Sequence, residues 1–302
     1  MARPMITLRL GLEWFLNPDH LPFLVAQEKG WLKEAGLDLH LVEPQEHLDA
    51  AEAIQKGELD VAITEPLHLV EDRAQGRAVR GFARFLHTNG GVMYFAESGI
   101  ERPRDMAGKR IQYPGAPGPG GPAIVGTMVE ADGGRAPVDD FVRVNEGFHH
   151  TQALVDGKAD VATLAFYNFE LVEARHLGHD ARFFALRDWG VPDFCQLVLF
   201  TTPRVLKDRR GALQALVKQL RRGIDFVHQH PEEARALYFR ASGADPEDPL
   251  GAKIFAATAP CFTFDFSMSD DYFRRLASWM AERGLVASAP PPETLWTNEI
   301  AF

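Results

Sequence analysis

Residues 50–64 read Ala-Ala-Glu-Ala-Ile-Gln-Lys-Gly-Glu-Leu-Asp-Val-Ala-Ile-Thr, and residues 150–164 read His-Thr-Gln-Ala-Leu-Val-Asp-Gly-Lys-Ala-Asp-Val-Ala-Thr-Leu. The shared skeleton is an alanine, a helix turn, Gly57 or Gly157, two residues, and then Asp-Val-Ala. Each glycine can cap its helix in the left-handed conformation, and the triplet then enters a buried strand. Such a turn also recurs by chance. The reading favoured here is two similarly built α/β lobes.

Working outward, strand-like and helical runs alternate. Met5–Leu12 alternates as a strand, Leu21–Ala35 reads as a helix ended by Gly36, and Leu37–Val42 is a strand. A helix over Leu48–Lys56 precedes the strand Asp60–Thr64. Strands alternating with helices of this length indicate βαβ units and a mainly parallel sheet in each lobe. Lobe two is expected over residues 92–198, entered and left through the strand-like runs Met93–Ala96 and Gln196–Phe200. Lobe one then comprises residues 1–91 and 199–302, with helices near Arg204–Gln229, Pro231–Ala241 and Ser269–Arg283. A two-lobe layout of this kind predicts a ligand cleft between the lobes and a hinge at the crossings.

Composition excludes several classes. The 302 residues are 46% hydrophobic and 25% charged, which is ordinary for a globular chain and argues against disorder. With 42 acidic and 32 basic residues the formal charge is −10, a poor match to nucleic-acid phosphates. Cys195 and Cys261 are too few for a disulfide scaffold, and two buried thiols are expected rather than a bridge. No run approaches 18 apolar residues, so no membrane span is expected. The opening residues lack an apolar signal core. As written the chain reads as cytoplasmic; with an export signal removed it would read the same and be periplasmic.

Four stretches carry candidate chemistry. Glu13–His20 follows the first strand, where open α/β sheets bind ligands. Trp14 offers an aromatic face there, and Asn17, Asp19 and His20 offer polar contacts, although Asn17 or Asp19 would equally cap the next helix. Glu65 and His68 follow the strand of the first repeat, at what is also a plausible helix start. Tyr113–Ala123 is rich in glycine, with Gly115, Gly118, Gly120 and Gly121 between a strand and a helix over Ala123–Ala131. Such a turn exposes N–H groups to an anion, but the prolines at 114, 117, 119 and 122 remove donors. The fourth stretch, Tyr167, Asn168 and Glu170, follows the strand of the second repeat. A carboxylate beside aromatics reads an aminopyrimidine edge; the same residues also suit a helix's first turn. His149-His150 and His176-x-x-His179 are too sparse for a metal site, and no catalytic nucleophile pattern is legible.

Beyond these, Trp14-x5-His20-x-Pro22, Ala26-Gln27-x-Lys29-Gly30, Gly36-Leu37-Asp38, Glu43-Pro44 and Trp296-Thr297-Asn298-Glu299 together resemble a known family. It is the thiamine-pyrimidine family. One branch comprises periplasmic proteins of ABC transporters that bind formylaminopyrimidine or hydroxymethylpyrimidine. The other comprises synthases of hydroxymethylpyrimidine phosphate. The resemblance implies the two-lobe, type II periplasmic-binding-protein fold. In the synthase branch His68 would occupy the position of the active-site histidine, and the lysine that holds pyridoxal phosphate would fall at Thr64. Of the cysteine cluster only Cys195 remains. The binding branch fits better: Tyr167-Asn168-Phe169-Glu170 resembles its pyrimidine-reading run. The implied function is binding of a small heteroaromatic for an ABC permease, with Trp14 and Tyr167 stacking and Glu170 reading the amino edge. No cofactor, metal or catalytic residue is expected; pyridoxal phosphate enters only if the chain is a diverged synthase. A riboflavin or other aromatic binder is the third reading.

Overall fold

The computed structural model describes residues 5–44, 49–114, 116 and 118–301. Contacts divide the chain into two compact units: unit 1 is Met1–His87, Gln196–Ala277 and Ser288–Phe302, and unit 2 is Thr88–Cys195 with Ser278–Ala287.

Unit 1 opens with β1 (Ile6–Gly11), α1 (Leu21–Glu28), α2 (Trp31–Glu34), β2 (Leu37–Val42), α3 (Ala50–Lys56), β3 (Val61–Thr64), α4 (Pro66–Ala74) and β4 (Arg80–His87). The helix expected over Leu21–Ala35 is broken, because Gly30 adopts φ 74° and starts α2 afresh. Unit 2 contains β5 (Gly90–Phe95), β6 (Arg110–Gln112), α5 (Gly120–Ala131), β7 (Val142–Val144), α6 (His150–Val155), β8 (Val161–Phe166), α7 (Glu170–His176) and β9 (Ala181–Ala185). The chain re-enters unit 1 through β10 (Gln196–Thr201), followed by α8 (Pro203–Asp208), α9 (Arg210–Gln229), α10 (Pro231–Ser242), α11 (Pro249–Thr258) and α12 (Asp270–Glu282).

The sheets are β2-β1-β3-β10-β4 and β7-β6-β8-β5-β9. In each, the first three strands are parallel, the fourth (β10 or β5) runs against them, and the fifth, antiparallel to the fourth, points their way again. The sheets are therefore mixed, but four of the five strands in each point the same way, in keeping with the mainly parallel reading. Strands β10 and β5 insert against β3 and β8 in the opposite sense, and nothing local in their sequences encodes that direction. Five-stranded sheets flanked by helices give unit 1 a core around Leu8, Leu10, Phe23, Phe82 and Phe85, and unit 2 a core around Met93, Leu154, Ala162 and Leu171.

Helix α9 shows why its residues form a packed helix. Leu213, Leu216, Val217, Leu220, Ile224 and Val227 recur at three- and four-residue spacing and are buried. The approach to α1 is close: a Cβ on Gly223 would sit 2.3 Å from the Pro22 carbonyl oxygen. The sequence assigns 278–287 to lobe one, but this segment packs in unit 2. Trp279 Nε1 donates to Thr127 Oγ1 at 3.0 Å, and Arg283 pairs with Glu130 at 2.7 Å. Cys195 is buried, while Cys261 is half-buried rather than buried.

The repeat extends beyond its letters. Gly57 and Gly157 adopt φ 76° and 64°. Asp60 accepts Arg9's backbone N–H at 2.9 Å and its Nε at 3.0 Å. Asp160 does the same for Arg110 at 2.9 and 3.1 Å. One feature breaks the symmetry. In β8 residue Leu164 adopts φ 58° and is skipped where Val92 pairs with Thr163 and Gly91 with Ala165, making a β-bulge. In β3 the corresponding Thr64 pairs regularly with Val198.

Candidate functional site

The carboxyl ends of the parallel strands carry the polar groups, and each unit builds its own set. In unit 1, β1 and β2 end side by side, with Leu12 N–H donating to Val42 O at 2.9 Å. Glu43 then accepts the Leu16 N–H at 2.7 Å. The Asn17 side chain caps the short 3-10 turn Pro18–His20, accepting from Asp19 N–H at 2.8 Å and donating to Phe15 O at 2.9 Å. Capping is thus the structural work of Asn17. Asp19 and His20 are buried beside it.

The His20 ring bridges the turn. Its Nε2 lies 3.1 Å from both oxygens of Glu13, and its Nδ1 accepts the Asn17 N–H at 3.2 Å. Only a ring without a proton on Nδ1 can accept that bond, so Nε2 carries the proton and donates to Glu13. Burial lowers the pKa of His20, but Glu13, Asp19 and Glu43 outweigh it and raise it overall. A second proton would go to Nδ1 and break its bond with the Asn17 N–H. Trp14, half-buried, stands against Phe15 at 4.2 Å between ring centroids. On the neighbouring strand β3, Glu65 precedes α4 with extended backbone and Pro66 takes the first helical position. The exposed His68 accepts from or donates to Thr64 Oγ1 through Nδ1 at 3.1 Å.

In unit 2 the glycine-rich stretch leads directly into α5. Gly115 lies outside the described residues, Gly118 is in the preceding turn, and Gly120 and Gly121 are already helical. A Cβ on Gly121 would sit 2.4 Å from Tyr113 Cδ1, so this glycine admits the Tyr113 ring. At the helix start Pro119 and Pro122 have no N–H, and Ala123 N–H is bonded to Pro119 O.

After β8, Tyr167 is 48% exposed and stands edge-on to Phe183 with centroids 6.1 Å apart. Buried Asn168 accepts the Thr88 hydroxyl at 3.0 Å. Glu170 is also buried, and its Oε2 accepts the Phe166 N–H at 2.8 Å. Glu170 therefore holds its own turn, and Asn168 ties that turn to Thr88, both near Tyr167 in sequence. The geometry gathers Asn17, Asp19 and His20 in one network in unit 1. It puts Tyr167, Asn168 and Glu170 on one turn in unit 2.

Sequence reasoning missed Phe148, 57% exposed after β7, and the Glu13–His20–Glu43 network. The signal for Phe148 was its turn, Asn145-Glu146-Gly147, at a strand's carboxyl end. Among the described residues no three His, Cys, Asp or Glu side chains converge as a metal site, and no helix is long and apolar enough to cross a membrane.

This arrangement can be set beside known proteins. A formylaminopyrimidine-binding protein of Halalkalibacterium halodurans is 29% identical over 232 residues, covering 76% of this chain and 68% of that one. A 4-amino-5-hydroxymethyl-2-methylpyrimidine phosphate synthase of Legionella pneumophila is 29% identical over 258 residues, covering 84% and 79%. The periplasmic aliphatic sulphonate binding protein SsuA of Escherichia coli has the same fold, with TM-score 0.75 and 13% identity, covering 96% of this chain and 92% of SsuA. The fold is thus that of periplasmic substrate-binding proteins. Residues 17–234 match the family described as NMT1/THI5 like, and the chain belongs to it.

Proposed function

We propose that this chain is a substrate-binding protein for a small heteroaromatic, a thiamine pyrimidine precursor of the formylaminopyrimidine or hydroxymethylpyrimidine kind. The observation that carries the reading is that each unit sets an aromatic side chain and a buried carboxylate on the stretch that follows a strand: Trp14 and Asp19 after β1, Tyr167 and Glu170 after β8. Stacking supplies contact area, and a carboxylate accepting an exocyclic N–H supplies selectivity. The formylaminopyrimidine-binding relative supports the ligand class, and the fold supports delivery to an ABC permease outside the cytoplasm.

A synthase-like reading meets an obstacle in the donor set. Pyridoxal phosphate held as a Schiff base needs an amine, and Thr64 presents a hydroxyl already bonded to His68. The residues do not fit that group.

Titration calorimetry with 4-amino-5-hydroxymethyl-2-methylpyrimidine and with formylaminopyrimidine tests the proposal. Glu170→Gln keeps an oxygen for the Phe166 N–H but loses the charged acceptor, and should weaken binding by about 1.5–3 kcal/mol. Unchanged affinity would remove Glu170 from the site. Binding of riboflavin alone would replace the ligand class.

A further inference from the structure

Among the described residues, three buried side-chain atoms of unit 2 have no hydrogen-bond partner: Tyr113 Oη, His150 Nδ1 and Thr151 Oγ1. All three residues are 3% exposed. The comparable atoms of unit 1 are scattered over separate helices, Arg73 Nε on α4, Gln219 Oε1 on α9 and Arg235 Nε on α10. Those of unit 2 fall at one end of one sheet, on the turn after β6 and at the first residues of α6. Tyr113 directly follows β6, and His150 and Thr151 open α6 after β7. These strands are paired neighbours, with Gln112 opposite Val144. A buried donor or acceptor left dry and unpaired is costly, and a fold keeps one where something else serves it.

The two turns are bound to each other. Fully buried Gln112 donates Nε2 to Gly147 O at 2.8 Å and accepts Glu146 N–H at 2.9 Å. Asn145 donates to Ala116 O at 2.8 Å and accepts Gly147 N–H at 3.0 Å. Tyr113 N–H donates to Val144 O at 3.1 Å. The Tyr113 ring is pinned over Gly121.

The set is also uncharged. Burial, with a smaller push from His149, lowers the His150 imidazole to about 4, so the ring is neutral at physiological pH. Burial raises the Tyr113 phenol against a weaker opposing pull from Arg143, so its hydroxyl keeps its proton. Two hydroxyls and a neutral imidazole suit a carbonyl or alcohol oxygen, which donates or accepts without bringing charge. A phosphate dianion would lose its hydration here with no buried partner charge among the three. We propose that Tyr113, His150 and Thr151 form a subsite for a neutral oxygen substituent of the ligand, a hydroxymethyl or formyl oxygen rather than a phosphate. The proposal rests on the heteroaromatic-binding reading above.

The test pairs two ligands with two variants. Wild type, Tyr113→Phe and Thr151→Val are titrated with 4-amino-5-hydroxymethyl-2-methylpyrimidine and with 4-amino-2,5-dimethylpyrimidine, which lacks the oxygen. Wild type should prefer the alcohol about tenfold, and each variant should reduce that preference to about threefold or less. The phosphate ester should bind wild type more weakly than the alcohol. Equal preference in all three proteins overturns the subsite and assigns the hydroxyls to water. If neither pyrimidine binds wild type, the functional reading fails, and the melting temperature then decides the subsite. A hydroxyl kept for a ligand predicts that Tyr113→Phe melts at or above wild type. A fall of several degrees would mean that the hydroxyl holds the fold, and would overturn the subsite.

Discussion

In unit 1 Asp60 holds the backbone and guanidinium of Arg9; in unit 2 Asp160 holds Arg110 in the same way. The strands pair in equivalent register, Leu10 opposite Val61 and Ile111 opposite Val161. What stands beyond the strands diverges. Unit 1 carries the carboxylates of Glu13, Asp19 and Glu43 around a buried imidazole, and Glu65 after β3. Unit 2 carries Tyr113, Phe148, Tyr167 and Asn168, with Glu170 as the buried acid of its last turn. A duplicated frame has been given one acidic end and one largely neutral, aromatic end.

The comparison can be broken most directly at the shared clamp. Asp60→Ala strands the Arg9 N–H and a side chain paired with a nearly buried carboxylate, and should cost about 2–4 kcal/mol in urea unfolding. Asp160 is more exposed, so Asp160→Ala should cost about half as much. A larger loss at Asp160 would mean that the two clamps are not equivalent.

Acid should separate the units by sign. His150 titrates near 4 when folded and near 6.5 when not, so its contribution is intact above pH 6.5 and lost as pH falls toward 4. The loss is about 2–3 kcal/mol, and His150→Gln should abolish it. Glu71 behaves oppositely. Burial, helped by Asp72, raises it to about 7 from 4.5, so its charged form penalises the fold as pH rises through that range. Glu71→Gln should therefore stabilise the protein by about 1–2 kcal/mol at pH 8 and have little effect at pH 4, the figure discounted for partial exposure. Unfolding curves from pH 4 to 8 check both signs. Identical slopes for wild type and the two variants would remove the contrast.

The smallest effect belongs to the bulge. Leu164→Gly relieves the left-handed backbone while giving up half-buried apolar surface, and should leave stability within about 0.5 kcal/mol of wild type. Thr64→Gly in the regular strand should cost about 1 kcal/mol or more. Equal costs would argue that the bulge carries no strain.

The letters of the repeat made the α/β duplication legible, because Gly57, Gly157 and the Asp-Val-Ala triplets act locally. The clamp was not legible. Arg9 and Arg110 lie about fifty residues from their partners, and no periodicity marks them. The mixed sheets were hidden for the same reason. Helix α11 was overlooked although Asp248 and Pro249 spell its start; Asp248 accepts from Leu250 and Gly251 N–H groups at 3.0 and 2.9 Å. At the site, residue type was readable but bonding was not. Asn17 serves its own turn, and Glu170 is engaged by the Phe166 N–H, which only the folded backbone reveals. The glycines stayed ambiguous because composition cannot distinguish room for a ligand from room for the Tyr113 ring beside Gly121.

The Arg–Asp clamps sit on the strands before the variable turns begin. A one-residue slip of β1 past β3, or of β6 past β8, would tear a carboxylate from a backbone N–H and turn each strand's side chains to the opposite face. Registration is thereby settled upstream of the turns. Turns downstream of such a lock can be lengthened, shortened or rewritten while their anchoring points stay at a fixed height. A descendant protein can thus acquire a new binding preference one turn at a time.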